Sequence, residues 1–237
     1  MHQYYFYLNP DHILTDRALL ENDEFRHCTQ VLRHKVGDRI LLFNGKGIVY
    51  SAEIRKVVKN SAECQILSTQ SLNNPILTEI SVAFGLLKSK ALDLLIRELT
   101  SLGVRHFFPL VTNHSVKQNF NFDRMQKIVL EALKQSGNLF LPLIQPPIEI
   151  SQWLKNLLPI QVKLIAEQSN TIPIKNALMN YTNISSVLIL IGPEGGFHPE
   201  EVALAIDRDF IPVTIHPYRL RSELAAITAV NQIIAYL

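Results

Sequence analysis

What this sequence has little of narrows the field first. It has two cysteines, Cys28 and Cys64, far apart and without metal-ligand spacing. That argues for two reduced thiols in a cytosolic protein, not a disulfide scaffold. It has eight histidines, but none pairs with another His or a Cys at zinc spacing, so no metal is expected. No apolar run is long enough to cross a bilayer. The first residues, Met1-His2-Gln3-Tyr4-Tyr5, are aromatic and polar and carry no leader pattern. A cytoplasmic location without membrane partners is therefore expected, and without export the Asn-X-Ser matches at Asn113 and Asn183 have no meaning. Net charge is only +2. This leaves nucleic acid open as a partner, because a local basic face can suffice. Internal repeats and low-complexity tracts are absent.

What is present is a chain of 237 residues, 47% of them apolar, enough for one large domain or two modest ones. Tyr5 to Leu8 reads as a first strand. Phe25, Cys28, Val31 and Leu32 form a helical stripe over residues 24 to 32. Arg39 to Phe43 and Ile48 to Ile54 read as strands joined at Asn44-Gly45, a strong hairpin signal. Cys64 to Leu67 adds another strand. This is a small β-rich unit, residues 1–70. It contains Arg26, His27, Arg33, His34, Lys35 and Arg39. Charge alone leaves two readings level, a phosphate-binding face and a solvated surface.

Residues 71–77, with Ser71, Asn73, Asn74 and Pro75, read as a linker. From 78 to 237 strands and helices alternate. Strands are expected at 80–84, 107–110, 162–166, 187–189 and 211–215. Helices are expected at 91–102, 122–136 (Asp123 in a capping position), 151–158, 174–179, 199–206 and 222–237. Alternation over this length predicts an α/β domain with a mainly parallel sheet covered on both faces.

Two strand–loop–helix junctions stand out. In the first, Val187-Leu188-Ile189 runs into Leu190-Ile-Gly-Pro-Glu-Gly-Gly-Phe197, and a helix starts at Pro199 with acids in its first turn. The loop lacks the Lys-Ser/Thr of a P-loop and the G-x-G-x-x-G of a dinucleotide fingerprint. Two glycines alone mark a tight turn. Glu194 between Pro and Gly adds what a turn does not require and a polar-ligand site uses. In the second junction, the run from His216 through Pro217 and Tyr218 carries Arg219 and Arg221 up to a helix start. Ser222 is placed as N-cap and Glu223 in the first turn, where the helix dipole favours its charge. Two Arg beside a helix N-terminus can hold anionic groups.

Ile191-Gly-Pro-Glu-Gly-Gly-Phe197, followed by Arg219-Leu-Arg-Ser-Glu-Leu-Ala225, closely resembles the bacterial small-subunit (16S) rRNA uracil-N3 methyltransferases of the SPOUT superfamily. The likeness continues upstream through Val31-Leu32-Arg33 with Gly37-Asp38, Phe43-Asn44-Gly45, Glu98-Leu99 with Leu102-Gly103-Val104, His114-Ser115, and Glu131-Ala132 with Gln135-Ser136-Gly137. It covers nearly the whole chain. Four positions depart from the pattern: His114 and Asn138 stand where Arg is common, His216 where Gly is expected, and Leu224 where Thr is usual.

The resemblance implies a PUA-like domain for RNA over 1–70 and a knotted SPOUT-type methyltransferase domain over 78–237. It implies S-adenosylmethionine as cofactor, bound through Leu164, Ala166, Ile191, Gly192, Gly195, Gly196, Ile215, His216, Arg219 and Leu220. It implies small-subunit ribosomal RNA or the assembled 30S subunit as partner, contacted by Arg26, Arg33, Lys35, His114 and Ser115, and a homodimer. For catalysis, Arg221 is the candidate cation near the uracil carbonyls, with Arg219 second. Glu194 or Glu223 would take the N3 proton or orient the base. The alternatives are a ribosome-binding protein that keeps the fold without turnover, and an RNA ribose 2′-O-methyltransferase.

Overall fold

The structure, a computed structural model, describes residues 4–116, 120–169 and 171–237. These fall into two compact units. One comprises Met1–Pro75 with Leu133–Leu141, the other Ile76–Ala132 with Pro142–Leu237.

The first unit is built on β1 (Tyr5–Tyr7), β2 (Ile13–Leu14), β3 (Arg17–Glu21), α1 (Asn22–Arg26), β4 (Arg39–Phe43), β5 (Ile48–Val57) and β6 (Ser61–Ser71). The sheet order is β1-β4-β5-β6-β3-β2, antiparallel except for the β1–β4 pair. Phe6, Leu20, Phe25, Leu42 and Ile54 fill its core. The hairpin at Asn44-Gly45 is fixed by a buried side chain: Asn44 Oδ1 accepts the N–H of Lys46 at 2.8 Å and of Ile48 at 3.2 Å. The expected helix over 24–32 is shorter and irregular. α1 gives way to a π-helical turn, His27–Val31, which leaves Val31 exposed. Burial pushes the Cys28 thiol up to about 12 and the Cys64 thiol to about 11, and both are free. Residues 133–141 join this unit because Gly47 N–H donates to Leu139 O and Leu141 N–H to Gly45 O, and Lys134 pairs with Glu24 at 2.6 Å. Such backbone pairing with a distant segment leaves no local pattern in the sequence.

The second unit runs β7 (Glu79–Gly85), α2 (Ser89–Ser101), β8 (His106–Val111), α3 (Phe122–Ser136), β9 (Leu143–Ile144), β10 (Ile148–Glu149), α4 (Ile150–Lys155), β11 (Val162–Ala166), β12 (Ile172–Pro173), α5 (Ile174–Leu178), β13 (Ser186–Ile191), α6 (Pro199–Ile206), β14 (Ile211–Thr214) and α7 (Ser222–Tyr236). The sheet order is β10-β8-β7-β13-β11-β14-β12, with β9 also on β8, and every pairing is parallel. Helices cover both faces, as the alternation predicts. Along β13, Leu188 and Leu190 pack with Trp153, Leu154, Ala205 and Phe210 of the α4–α6 side. Val187 and Ile189, one step out of phase, point to the other face, where α7 packs. α7 buries the stripe Ala226, Ala229, Val230 and Ile233, while Leu224 outside it is exposed.

Two capping expectations change. Asn121, not Asp123, caps α3, its Oδ1 accepting the Arg124 N–H at 3.0 Å. At α7 the cap position falls on Arg221, which makes no side-chain cap bond, and Ser222 is the buried first helical residue. The helix thus begins one residue earlier than the Ser signal suggests, with Ser222 buried in its first turn. α4 also ends at Lys155, short of the expected Leu158, which is 77% exposed.

Candidate active site

β13, β11 and β14 are neighbours in the sheet, and each is followed by a loop at its carboxyl end. Those three loops wall a cavity of about 560 Å³, within the usual range for ligand sites. Ala166 to Ser169 line it after β11, and Ile191 to Phe197 after β13. Thr214 to His216 and Tyr218 to Arg221 line it after β14, and Ser222 and Ala225 come from α7. This is where open parallel sheets place ligands, outside the carboxyl ends of adjacent strands.

The Gly-Pro-Glu-Gly-Gly loop is a closed turn. Gly196 N–H donates to Pro193 O at 2.9 Å, and Gly196 takes φ +75°, a conformation that suits glycine. Glu194 is exposed on the turn and its carbonyl accepts from Arg219 Nη2 at 3.0 Å. Arg219 therefore staples the β13 loop to the β14 loop. Arg221 is exposed on the cavity wall. His216 is exposed, and its Nδ1 accepts the Tyr218 N–H at 3.1 Å, so the larger residue at this position closes its own turn.

The chain is similar to known proteins over nearly its whole length. Residues 73–234 match the family described as RNA methyltransferase domain, and residues 20–67 match the RNA methyltransferase PUA domain. Ribosomal RNA small subunit methyltransferase E of Rickettsia conorii is 31% identical over 233 residues, covering 96% of this chain and 93% of that protein. The chain belongs to the ribosomal RNA small subunit methyltransferase E family. Two solved structures extend the likeness, each 26% identical with a TM-score of 0.87 and covering 99% of this chain and 98% of theirs. One is a putative methyltransferase of Legionella pneumophila in complex with the bound cofactor SAM. The other is the methyltransferase E of Neisseria gonorrhoeae bound to S-adenosyl methionine. The fold class is the one expected: a PUA-like β unit and an α/β methyltransferase unit on a parallel sheet.

Of the residues the sequence singled out within this family frame, Ala166, Ile191, Gly192, Glu194, Gly195, Gly196, Ile215, His216, Arg219, Leu220 and Arg221 all line the cavity. Leu164 does not. It lies inside β11, fully buried, paired with Ile189 and Ile211. Glu223, half-buried in the first turn of α7, is also outside the lining. His114 and Ser115 form the turn after β8 in the same unit, with Ser115 Oγ accepting the Thr112 N–H and donating to Thr112 O, both at 2.9 Å. Arg26, Arg33 and Lys35 belong to the first unit and are exposed there. Arg33 sits at φ +61° just after the π-helical turn, and Arg26 lies 3.8 Å from Asp23.

The sequence reading missed Glu167. Its position directly after β11 was the available signal, since the other two loops also follow strand ends. It lines the cavity, and its N–H donates to Val213 O at 3.0 Å. Burial raises its carboxyl above the ordinary glutamate range, opposed in part by the Gln168 N–H. A raised folded-state value favours the native protein below the ordinary pKa. That contribution fades as pH rises through the raised one. Glu167→Gln removes the buried charge. The Gln variant is therefore expected to melt above the wild type at neutral pH, with the gap closing toward about pH 4. Paired thermal melts across pH check it; a gap independent of pH rules it out.

Among the described residues there is no group of three or more His, Cys, Asp or Glu that could hold a metal ion. No helix among them is long and apolar enough to cross a membrane.

Proposed function

We propose that this chain is a homodimeric enzyme that transfers the methyl group of S-adenosylmethionine to N3 of a uridine in small-subunit ribosomal RNA, with assembled 30S subunits as substrate. The observation that carries the reading is the cavity at the ends of β13, β11 and β14, with an exposed arginine on its wall. The relatives' names point to the RNA and the structural neighbours to the cofactor. A PUA-like unit over 1–70, a linker at 71–77 and a methyltransferase domain from 78 to 237 are the working division of labour.

S-adenosylmethionine supplies an electrophilic methyl on a sulfonium. The chain's own residues do the rest. Gly192, Gly195 and Gly196 present backbone to the cavity, with open space beside Gly196, and Ile191, Ile215 and Leu220 offer apolar wall. Holding base and cofactor in line turns a two-body reaction into one oriented unit. The N3 proton of uracil must leave for the nitrogen to attack, and negative charge then builds on the flanking carbonyl oxygens. Arg219 is committed to Glu194 O, so Arg221 is the cation assigned to that charge. Glu194 lines the cavity and Glu223 does not, which favours Glu194 as the proton acceptor. His114, Ser115, Arg26, Arg33 and Lys35 are assigned to the RNA. Cationic contacts to phosphate position the strand without reading its sequence, and the target base leaves its stack to enter.

The test is methyl transfer from labelled S-adenosylmethionine to small subunits purified from cells lacking this protein, followed by nucleoside analysis. The expected product is 3-methyluridine. A 2′-O-methylated nucleotide would replace the reaction with the ribose alternative. Cofactor binding without transfer to any subunit preparation would favour a ribosome-binding role.

A further inference from the structure

Glu201 does more than cap a helix. It is the third residue of α6 and is only 7% exposed, whereas its neighbour Glu200 lies at the surface. Its Oε2 accepts the His198 N–H at 2.8 Å, which is all a capping box needs of it. Its Oε1 accepts the N–H of Asn113 at 2.9 Å, from the turn after β8, 88 residues away in sequence. One buried carboxylate thus joins the end of the Gly192–Phe197 loop to the Thr112–Ser115 turn.

Two further contacts make the same junction. Gly195 lies flat against His114: a Cβ there would come within 2.8 Å of the His114 Cβ. The His114 Nδ1 is 3.1 Å from Gly196 O. The turn is itself fixed by the paired Ser115–Thr112 bonds, so it moves as a body. A shift of the cofactor loop must then either carry the turn along or break the part-buried hydrogen bonds of Glu201.

We propose that Glu201 is a positioning residue that couples the cofactor loop to the His114–Ser115 turn, so that filling the cofactor cavity tightens the grip on RNA and RNA tightens the grip on cofactor. This rests on the function proposed above. Coupling of this kind is reciprocal by linkage.

The experiment measures the affinity of the full-length protein for small ribosomal subunits with and without saturating S-adenosylhomocysteine, and the converse. The wild type is expected to gain about fivefold or more in each direction, the lower end of ordinary couplings. Glu201→Gln keeps the size of the side chain but offers one acceptor where two N–H groups point. It is expected to bring both ratios close to one. A purely structural role would weaken each affinity and lower the melting temperature but leave the ratio as it was, and that result overturns the proposal. A wild-type ratio of one with both ligands bound overturns it too. A wild type that binds neither ligand overturns the proposed function, and the coupling falls with it. If Glu201→Gln does not fold, Asn113→Pro decides: it removes the N–H that Glu201 Oε1 accepts, at the second position of the Thr112–Ser115 turn where Pro is favoured, and leaves the cap of α6 intact, so a ratio unchanged in that variant sinks the proposal.

Discussion

Arg221→Ala is expected to lower the rate of methyl transfer by about 10²–10³, the usual cost of removing one aligned charge or donor from a developing anion. Affinity for S-adenosylmethionine should change far less. The reasoning is that charge appears on the uracil carbonyls only as the N3 proton leaves, so a cation placed there acts on the transition state more than on the ground state. Arg219 is the internal control. Its guanidinium already donates to Glu194 O, between two of the three loops that wall the cavity. Arg219→Ala should therefore loosen the cavity and appear mainly as weaker cofactor binding. Single-turnover rates and calorimetric cofactor affinities of both variants separate the roles. A loss at Arg221 carried wholly by cofactor affinity would remove it from the chemistry. Arg221→Lys should recover only part of the rate, since a compact ammonium lacks the planar fork of donors.

Leu190→Ala is expected to cost about 2–5 kcal/mol of stability, the range for truncating a fully buried leucine. Leu190 is 0% exposed in the central strand β13, paired with Ile165 on one side and Ala83 on the other. It packs in the cluster with Trp153, Leu154 and Phe210. The next residues in the chain are Ile191 and the glycine loop, which line the candidate cavity. Leu158→Ala is the contrast: 77% exposed, it is expected to change stability by less than about 0.5 kcal/mol. Denaturant titration of the two variants checks the difference. Similar losses would mean that the burial of β13 does not govern the stability of its unit.

The elements that were legible in the sequence share a physical character. β11 and α6 begin and end where periodicity and capping place them, at Val162–Ala166 and Pro199–Ile206. Both are short elements with sharp boundaries, one a run of apolar residues, the other opened by Pro and acids. The hairpin at Asn44 was legible because its turn chemistry is local. β3 was not, because Arg17–Glu21 has no clean alternation and is held by pairing with β6, far along the chain. The extra segment of the first unit, 133–141, was invisible for the same reason.

The candidate site divides along the same line. The sequence by itself marked the candidate loops, because a strand, a glycine-rich turn and a helix start are written in consecutive residues, as are Arg219 and Arg221 before α7. It also determined the family resemblance, which rests on those same runs. Only the tertiary structure decided the neighbour relations. It set β11 between β13 and β14, and so brought Glu167 into the cavity wall. It turned Leu164 into core and left Glu223 off the wall. It gave Arg219 to Glu194 O and Glu201 to Asn113 N–H. The physical reason is range. Dihedral preferences, capping and hydrophobic period act over a few residues and can be read one after another. Strand order and the partner of a buried carboxylate are settled by packing between segments far apart in sequence, and a single chain of letters carries no local trace of them.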